Sequence, residues 1–377
     1  MNIPKKIAHL TSVHPRYDTR IFLKQCRSLA GAGYDASLVV ADGNGDETKD
    51  RVKIYDVGRS KGRVDRMTRT VRRVLAKAKE LDADIYHLHD PELIPIGLIL
   101  KRMGKKVIFD SHEDLPKQLL GKHYLNRPAK MFLSKSVSLF EGFACRRFDA
   151  VIAATPFIRD KFAEINSNTI DINNFPMLGE LASEQIDWSS KQSQICYVGG
   201  IGTIRGIREM VRAMEFVATD VRLQLGGTFS EKSVENEVKE YPGWNKVDEL
   251  GWLDRAGVRD VFKRSMAGLV TLRPIINYID ALPVKMFEYM SAGIPVIASD
   301  FPLWREIVEG NDCGVCVDPL NPEEIAGAID IIMNNPDRAE QMGRNGQKAV
   351  QEKYNWGIEE KKLLGLYERL LIEELRN

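Results

Sequence analysis

The sequence predicts an α/β protein built from two parallel-sheet domains, and three observations carry that prediction. The chain is 377 residues long, more than one hydrophobic core usually organises. Short apolar runs alternate with longer amphipathic ones, the signature of strands joined by crossover helices. The alternation then starts afresh near residue 193, after the polar stretch "SEQIDWSSKQSQ", which has the composition of a linker. The expected boundaries are 1–180, 190–355 and a last segment over 356–377.

In the first domain "KIAHLTSV" reads as a strand, "RIFLKQCRSLAGAGY" as a helix and "DASLVVAD" as the next strand. Gly31 and Gly33 offer the positive φ of a helix C-cap. Further strands are "DIYHLHD", "KVIFDSHE" and "DAVIAATP". The second domain begins with strand "SQICYVGG" and continues with helix "GIREMVRAMEFVA" and strands "VRLQLGG" and "VDELGW". Helix "RAGVRDVFKRS", strand "AGLVTL", helix "PVKMFEYMSAG" and strands "IPVIASD" and "CGVCVDP" complete it. The helical stretch "NWGIEEKKLLGLYERLLIEEL" is long enough to cross back and brace the first domain. Open parallel sheets bind ligands outside the carboxyl ends of their strands, so two facing sheets would make a cleft where function is sought.

Composition narrows the partners. Hydrophobic residues make up 44% and charged residues 28%, as in a globular protein. The longest uncharged apolar run, "LIPIGLIL", is far below a membrane span, and the opening residues do not resemble an export signal. Five scattered cysteines fit a reducing compartment, so a cytoplasmic location is expected. Cys313 and Cys316 lie in a strand-like run with no second pair, and read as buried thiols. The net charge of +1 hides an imbalance: residues 1–180 hold 31 Lys and Arg against 22 Asp and Glu, and residues 181–377 hold 23 against 31. No RNP-type aromatic signature or finger spacing accompanies the basic half, which leaves an anionic substrate or membrane surface rather than nucleic acid.

In "CYVGGIGTIRGI" a strand ends, Gly199, Gly200 and Gly202 let the backbone turn closely, and Arg205 stands near the next helix. Helix amides and a guanidinium at such a turn suit a diphosphate, although structural glycine turns are equally common. Gly226 and Gly227 supply a second close-approach loop. In "DALPVKMFEYMSAG" Pro283 favours a helix start, with Asp280 before it and Lys285 and Glu288 early in the helix. A carboxylate there can hold ribose hydroxyls and the lysine can face phosphate; the plain alternative is ordinary helix N-terminal charge.

These segments, with "EYMSAGIPVIASDFPLWREIV" and "CGVCVDPLNPEEIAGAI", resemble the donor-binding half of the retaining glycosyltransferases of family 4. The amino-terminal "HLTSVHPRYDTRIFLKQCRSLAGAGYDASLVV" is similar to a bacterial subgroup that builds capsule, O-antigen or exopolysaccharide. The resemblance spans nearly the whole chain and implies two facing Rossmann-like domains of the GT-B type, a nucleotide-sugar donor and no metal or other cofactor. It implies that Glu288 holds the donor ribose, that Asp280 lies near the donor sugar, and that Arg205 takes the place of the phosphate-binding lysine. Gly200 occupies the place of the usual partner arginine, which leaves Arg205 and Lys285 to carry the charge. Trp252 falls where the base meets backbone groups. His112, in "FDSHEDLP", corresponds to the histidine that approaches the donor sugar, where a neutral imidazole can bond a hydroxyl and support positive charge at the anomeric carbon.

In "YHLHDPE" His87 and His89 project to one side of a strand, too few ligands for a metal by spacing alone. His89 and Asp90, with Asp18 and Arg20 from "VHPRYDTRIF", are the candidate acceptor contacts; Asp18 also has the position of a plain helix cap. Arg59, Arg63, Arg66, Arg73 and Lys77 approximate one helical face, with Val64, Met67, Val71, Leu75 and Ala78 on another. Such a helix suits anionic headgroups, or is simply a solvated face. "HYLNRPAKMFLSKSVSLFEGF" adds apolar residues among lysines. The expected activity is transfer of a sugar from a nucleotide diphosphate, UDP first, to a lipid-linked saccharide at the inner face of the cytoplasmic membrane. A nucleotide-sugar epimerase or hydrolase, and a non-catalytic nucleotide-sugar-binding partner subunit, remain open.

Overall fold

A computed structural model describes residues 4–121, 126–180 and 187–374. The chain divides into two compact units, Met1–Asn174 with Ile358–Asn377, and Phe175–Gly357. Part of the polar stretch expected as a linker, residues 183–186, lies outside the described residues; Trp188, just beyond it, packs against the core of the second unit.

The first unit holds an eight-stranded sheet: β1 (Lys6–Leu10), β2 (Asp35–Val40), β3 (Glu47–Lys49), β4 (Val52–Asp56), β5 (Ile85–Leu88), β6 (Lys106–Ser111), β7 (Ala150–Ala153) and β8 (Thr169–Asp171). Their order is β3-β4-β2-β1-β5-β6-β7-β8, and only the β3–β4 pair is antiparallel. The second unit holds β9 (Gln194–Val198), β10 (Arg222–Gly226), β11 (Val247–Gly251), β12 (Ala267–Val270), β13 (Val296–Ser299) and β14 (Gly314–Val317), all parallel, in the order β11-β10-β9-β12-β13-β14. That is the doubly wound order, in which the direction of winding reverses between β9 and β12, as it does between β1 and β5 in the first sheet. β12 and β13 are buried along their whole length, as strands covered on both faces must be.

The sequence pattern missed the β3–β4 edge hairpin and the helix Lys232–Lys239. Of the two helix-ending glycines, Gly33 takes the positive φ, at 94°, and Gly31 ends the helix Arg27–Gly31 itself. Cys313 is buried and Cys316 half-buried, both reduced, and burial pushes each thiol up to about 12.

The helix Trp356–Glu374 brings Tyr367 into the first unit, where it is fully buried and its hydroxyl lies 2.7 Å from His87 Nδ1. No helix among the described residues is long and apolar enough to cross a membrane.

Candidate active site

Both switch points gather polar residues. In the second unit the loop after β9 is stitched to the one after β10: Gly199 N donates to Gly226 O at 2.9 Å and Ile201 N to Thr228 O at 3.0 Å. Gly227, at φ 140°, is required, because a Cβ there would stand 1.9 Å from Gly199 O. Gly199, at φ 138°, leaves its missing Cβ position 3.0 Å from Lys285 Nζ. Gly200 has open space around it and donates nothing to this fit, while Gly202 caps the short helical turn Thr203–Arg205.

Pro283 begins the helix Val284–Ser291, so Lys285 lies in its first turn and points back under the glycine loop. Its residue is 8% exposed and its Nζ finds no hydrogen-bond partner among the described residues. The ammonium lies instead 3.6 Å from the centre of the Tyr197 ring, a cation–π contact that replaces little of the lost hydration. Burial and, after it, the Arg205 charge hold Lys285 well below the usual lysine range, while Glu288 pulls the other way. Arg205 is half-buried, its guanidinium 5.4 Å from the Tyr278 ring. A guanidinium whose charge is felt by a buried lysine, the lysine without a hydrogen-bond partner among the described residues, forms a receptor for an anion.

Glu288 Oε1 accepts from Arg255 at 2.8 Å, and Arg255 Nε donates to Glu180 Oε1 at 2.8 Å. Neither Arg255 nor Glu180 was singled out by the sequence, because nothing in their local pattern links them to Glu288. Asp280 is half-buried in the turn before the helix, and Trp304 Nε1 donates to the adjoining Ala281 O at 2.6 Å. Trp252 follows β11 and is 74% exposed.

In the first unit, His9 on β1 lies in register with His87 on β5. His9 Nδ1 is 2.8 Å from His89 Nε2, and His89 Nδ1 is 3.2 Å from His112 Nε2. Asp110, at the end of β6 and fully buried, faces them: its Oδ2 lies 3.5 Å from both His89 Nδ1 and His112 Nε2 and 3.6 Å from His87 Nε2. Burial alone would raise the Asp110 pKa, but the Arg20 charge and the hydrogen bond from His112 outweigh it and hold the carboxyl well below its usual range. Burial keeps His9, His87 and His89 below the ordinary histidine value and hence neutral. Two triplets here, His9–His87–His89 and His89–Asp110–His112, have metal-ligand spacing. Asp110 Oδ2 already accepts from Arg20 Nε at 3.0 Å and Gln25 Nε2 at 2.8 Å, which opposes a cation at that corner.

Two of the acceptor candidates have structural partners of their own. Arg20 is buried and gives its guanidinium to Asp110 and to Ile172 O at 2.6 Å, so it is a structural ion pair. Asp18 caps the helix Thr19–Cys26, accepting from Arg20 N at 2.8 Å and Ile21 N at 2.9 Å. Asp90 is nearly buried and fixes the loop after β1 through Thr11 Oγ1 at 2.8 Å and Ser12 N at 2.5 Å. The same loop carries His14, whose ring centre is 4.9 Å from that of His112. Burial works to lower the His14 pKa, but the hydrogen bond to Asp18 and the charge of Asp90 prevail and raise it.

The basic face expected to meet a membrane is largely engaged. Arg66 pairs with Glu92 at 2.8 Å, Arg73 donates to Thr70 Oγ1 at 2.9 Å, and Lys77 pairs with Glu80 at 2.8 Å; Arg63 is exposed. The buried stripe is Thr70, Val71, Val74 and Ala78, with Val64 and Met67 on the surface. A stronger apolar surface is the helix Arg127–Cys145, where Met131, Phe132, Leu139 and Phe143 are exposed, Phe132 at 77%. The first residues of the apolar stretch noted in the sequence, 123–125, lie outside the described residues.

Two parallel-sheet units with ligand groups at their switch points are the GT-B class of fold, and solved structures share it. Sucrose-phosphate synthase from Thermosynechococcus elongatus superposes with a TM-score of 0.78 at 18% identity, covering 98% of this chain and 100% of that one. HepE from Anabaena, in complex with UDP, gives 0.74 at 14% over 97% and 100%. WaaG, a glycosyltransferase involved in lipopolysaccharide biosynthesis, gives 0.72 at 14% over 95% and 98%. The sequence matches the Glycosyltransferase Family 4 profile over residues 19–172 and the Glycosyl transferases group 1 profile over 180–349. By these two matches, which together run from residue 19 to residue 349, the chain belongs to the group 1 glycosyltransferase family. Curated relatives include an uncharacterised glycosyltransferase of Methanocaldococcus jannaschii, 25% identical over 47% of this chain and 45% of its own length. An alpha-D-kanosaminyltransferase of Streptomyces kanamyceticus is 22% identical over 61% and 63%. The match thus spans less than two thirds of either relative. A phosphatidyl-myo-inositol mannosyltransferase of Mycobacterium leprae is 21% identical over 76% of this chain and 74% of its own length.

Proposed function

We propose that the protein is a retaining, metal-independent glycosyltransferase that moves a sugar from a nucleotide diphosphate, UDP in the first instance, to a lipid-linked saccharide in surface-polysaccharide assembly. The observation that carries the proposal is the buried Lys285 ammonium, without a hydrogen-bond partner among the described residues, beside Arg205 and under the Gly199 backbone. Leaving a cation desolvated and unpaired costs stability unless a ligand repays it, and a departing diphosphate is an anion of the right kind. Lys285, Arg205 and the loop amides neutralise the leaving group, and that interaction strengthens as charge develops in the transition state. Glu288, oriented by Arg255, takes the ribose hydroxyls; Trp252 and the Gly251 backbone border the base; Asp280 and His112 attend the sugar. His89 and Asp90 belong to the acceptor side through the loop and the histidine they hold. The donor's own phosphate oxygen receives the acceptor proton.

Membrane association follows from the helix Arg127–Cys145. Its exposed Met131, Phe132, Leu139 and Phe143 are interleaved with exposed Arg127, Lys135, Arg146 and Arg147, the combination that holds a helix in the plane of an anionic interface.

A thermal-shift series with UDP-, GDP- and ADP-sugars tests the donor, since a ligand of the native state raises the midpoint by mass action. The expected result is a rise with one diphosphate series, lost in Lys285→Met, and sugar transfer with unchanged anomeric configuration in the presence of EDTA. No response to any nucleotide diphosphate, or an undiminished response in Lys285→Met, would end the proposal; rapid donor breakdown without acceptor would mark a hydrolase instead.

A further inference from the structure

The histidines of the first unit make a directed ring of hydrogen bonds rather than a loose cluster, and one atom sets its direction. His87 Nε2 is buried, has no hydrogen-bond partner among the described residues, and faces the Asp110 carboxylate at 3.6 Å. A lone pair aimed at a buried anion is repelled, so this nitrogen carries the proton. His87 Nδ1 must then accept, and it does so from the Tyr367 hydroxyl at 2.7 Å. The Tyr367 oxygen, having donated, accepts from His9 Nε2 at 3.4 Å. His9 Nδ1 is left to accept from His89 Nε2 at 2.8 Å, and His89 Nδ1 to accept from His112 Nε2 at 3.2 Å. The ring closes on the same carboxylate, 3.5 Å from His112 Nε2. Running it the other way would turn two lone pairs, those of His87 and His112, on to Asp110; this direction turns only that of His89.

We propose that Tyr367, His87, His9 and His89 are positioning residues that hold His112 in its Nε2–H tautomer, leaving Nδ1 as an unprotonated acceptor for a hydroxyl of the transferred sugar. His112 is the member of the ring that reaches the surface, with one fifth of its side chain exposed, and its Nδ1 has no protein partner among the described residues. The assignment rests on the proposed function for the identity of the hydroxyl, but not for the tautomer. An acceptor nitrogen also supports positive charge at a nearby anomeric carbon better than an N–H would. The specificity that follows is for a sugar with a hydroxyl at this position, because a deoxy analogue would lose the proton that Nδ1 is set to accept.

The test reads the tautomers directly, from long-range proton–nitrogen correlations of the 15N-histidine-labelled full chain without substrate. The expected spectrum shows neutral His9, His87 and His89 with the proton of each on Nε2, and the His112 proton on Nε2 as well. Tyr367→Phe removes the one group that joins the two branches; His112 should then show both tautomers, and turnover should fall about tenfold with donor KM little changed. A wild-type His112 carrying its proton on Nδ1 overturns the proposal, as does an unchanged His112 signal in a folded Tyr367→Phe protein. So does a stoichiometric zinc retained on His89, Asp110 and His112. A protein with the expected spectrum that binds no nucleotide sugar would sink the proposed function alone.

Discussion

Arg20 and Asp110 form a bidentate ion pair, with Nε 3.0 Å and the NH2 nitrogen 2.7 Å from the two carboxylate oxygens, both residues buried. The pair pins the first helix to the end of β6. Arg20→Met should cost about 3–5 kcal/mol, because it strands a buried carboxylate rather than removing a favourable contact. Urea midpoints of the two proteins measure it. Since the Asp110 pKa is depressed in the fold, its contribution is present above the unfolded value and is lost only as pH falls through the folded one.

Lys285 gives the same direction for a different reason, because here the charged form is the one that burial disfavours. Its pKa is depressed in the fold, so the unfolded chain binds the proton more strongly, and stability should rise with pH between the folded and unfolded values. At a pH above the folded value, an anion that restores the ammonium takes up a proton on binding. Calorimetry of nucleotide diphosphate binding in buffers of different ionisation enthalpy should show that uptake, and Lys285→Met should abolish it while raising the ligand-free melting temperature.

Gly227→Ala puts a methyl group where Gly199 O already stands. The two loops would have to part, at a cost of about 1–3 kcal/mol. Nucleotide-induced thermal shift should disappear together with that stability, whereas Gly200→Ala, at an open position, should leave both intact.

His14 should titrate above the ordinary value of 6.5, and Asp18→Asn should bring it down. With the folded pKa raised, the stabilisation is complete below the unfolded value and lost as pH rises through the folded one. The same substitution keeps a capping side chain, so the helix should lose less than the ~1 kcal/mol of a cap removed outright. Proton NMR of the histidine ring resonances across pH separates the two effects.

Phe132→Ser with Leu139→Ser should weaken co-sedimentation with anionic vesicles without changing the melting temperature, since both side chains are exposed. Full burial of such side chains in an interface is worth about 1.5–3 kcal/mol each. Binding that persists in the double variant would point away from this helix.

The candidate site of the second unit was legible because its residues are local. Gly199 ends a strand, Pro283 opens a helix, and Lys285 follows within one turn, so sequence order and spatial order agree. The first unit hides its groups. Asp110 reads as one more residue of an apolar strand, and His9 as part of another; only the parallel register that sets His9 beside His87, and a tyrosine 280 residues further on, reveal the ring. Arg20 misled for a related reason. A charge at the start of an amphipathic helix reads as open to a ligand, and the carboxylate that buries it is 90 residues away. Short elements escaped too: β3 spans three residues, Glu47–Lys49, and the helix Lys232–Lys239 buries only Val234 and Val238, too few for a period to emerge.

Tyr367 reaches the first unit from beyond the second. During synthesis the amino-terminal sheet can assemble as soon as β8 has emerged, but its polar interior stays open until the ribosome has added nearly two hundred further residues. His112 is therefore set last, so a half-made chain holds the scaffold of the histidine ring without its closing hydroxyl.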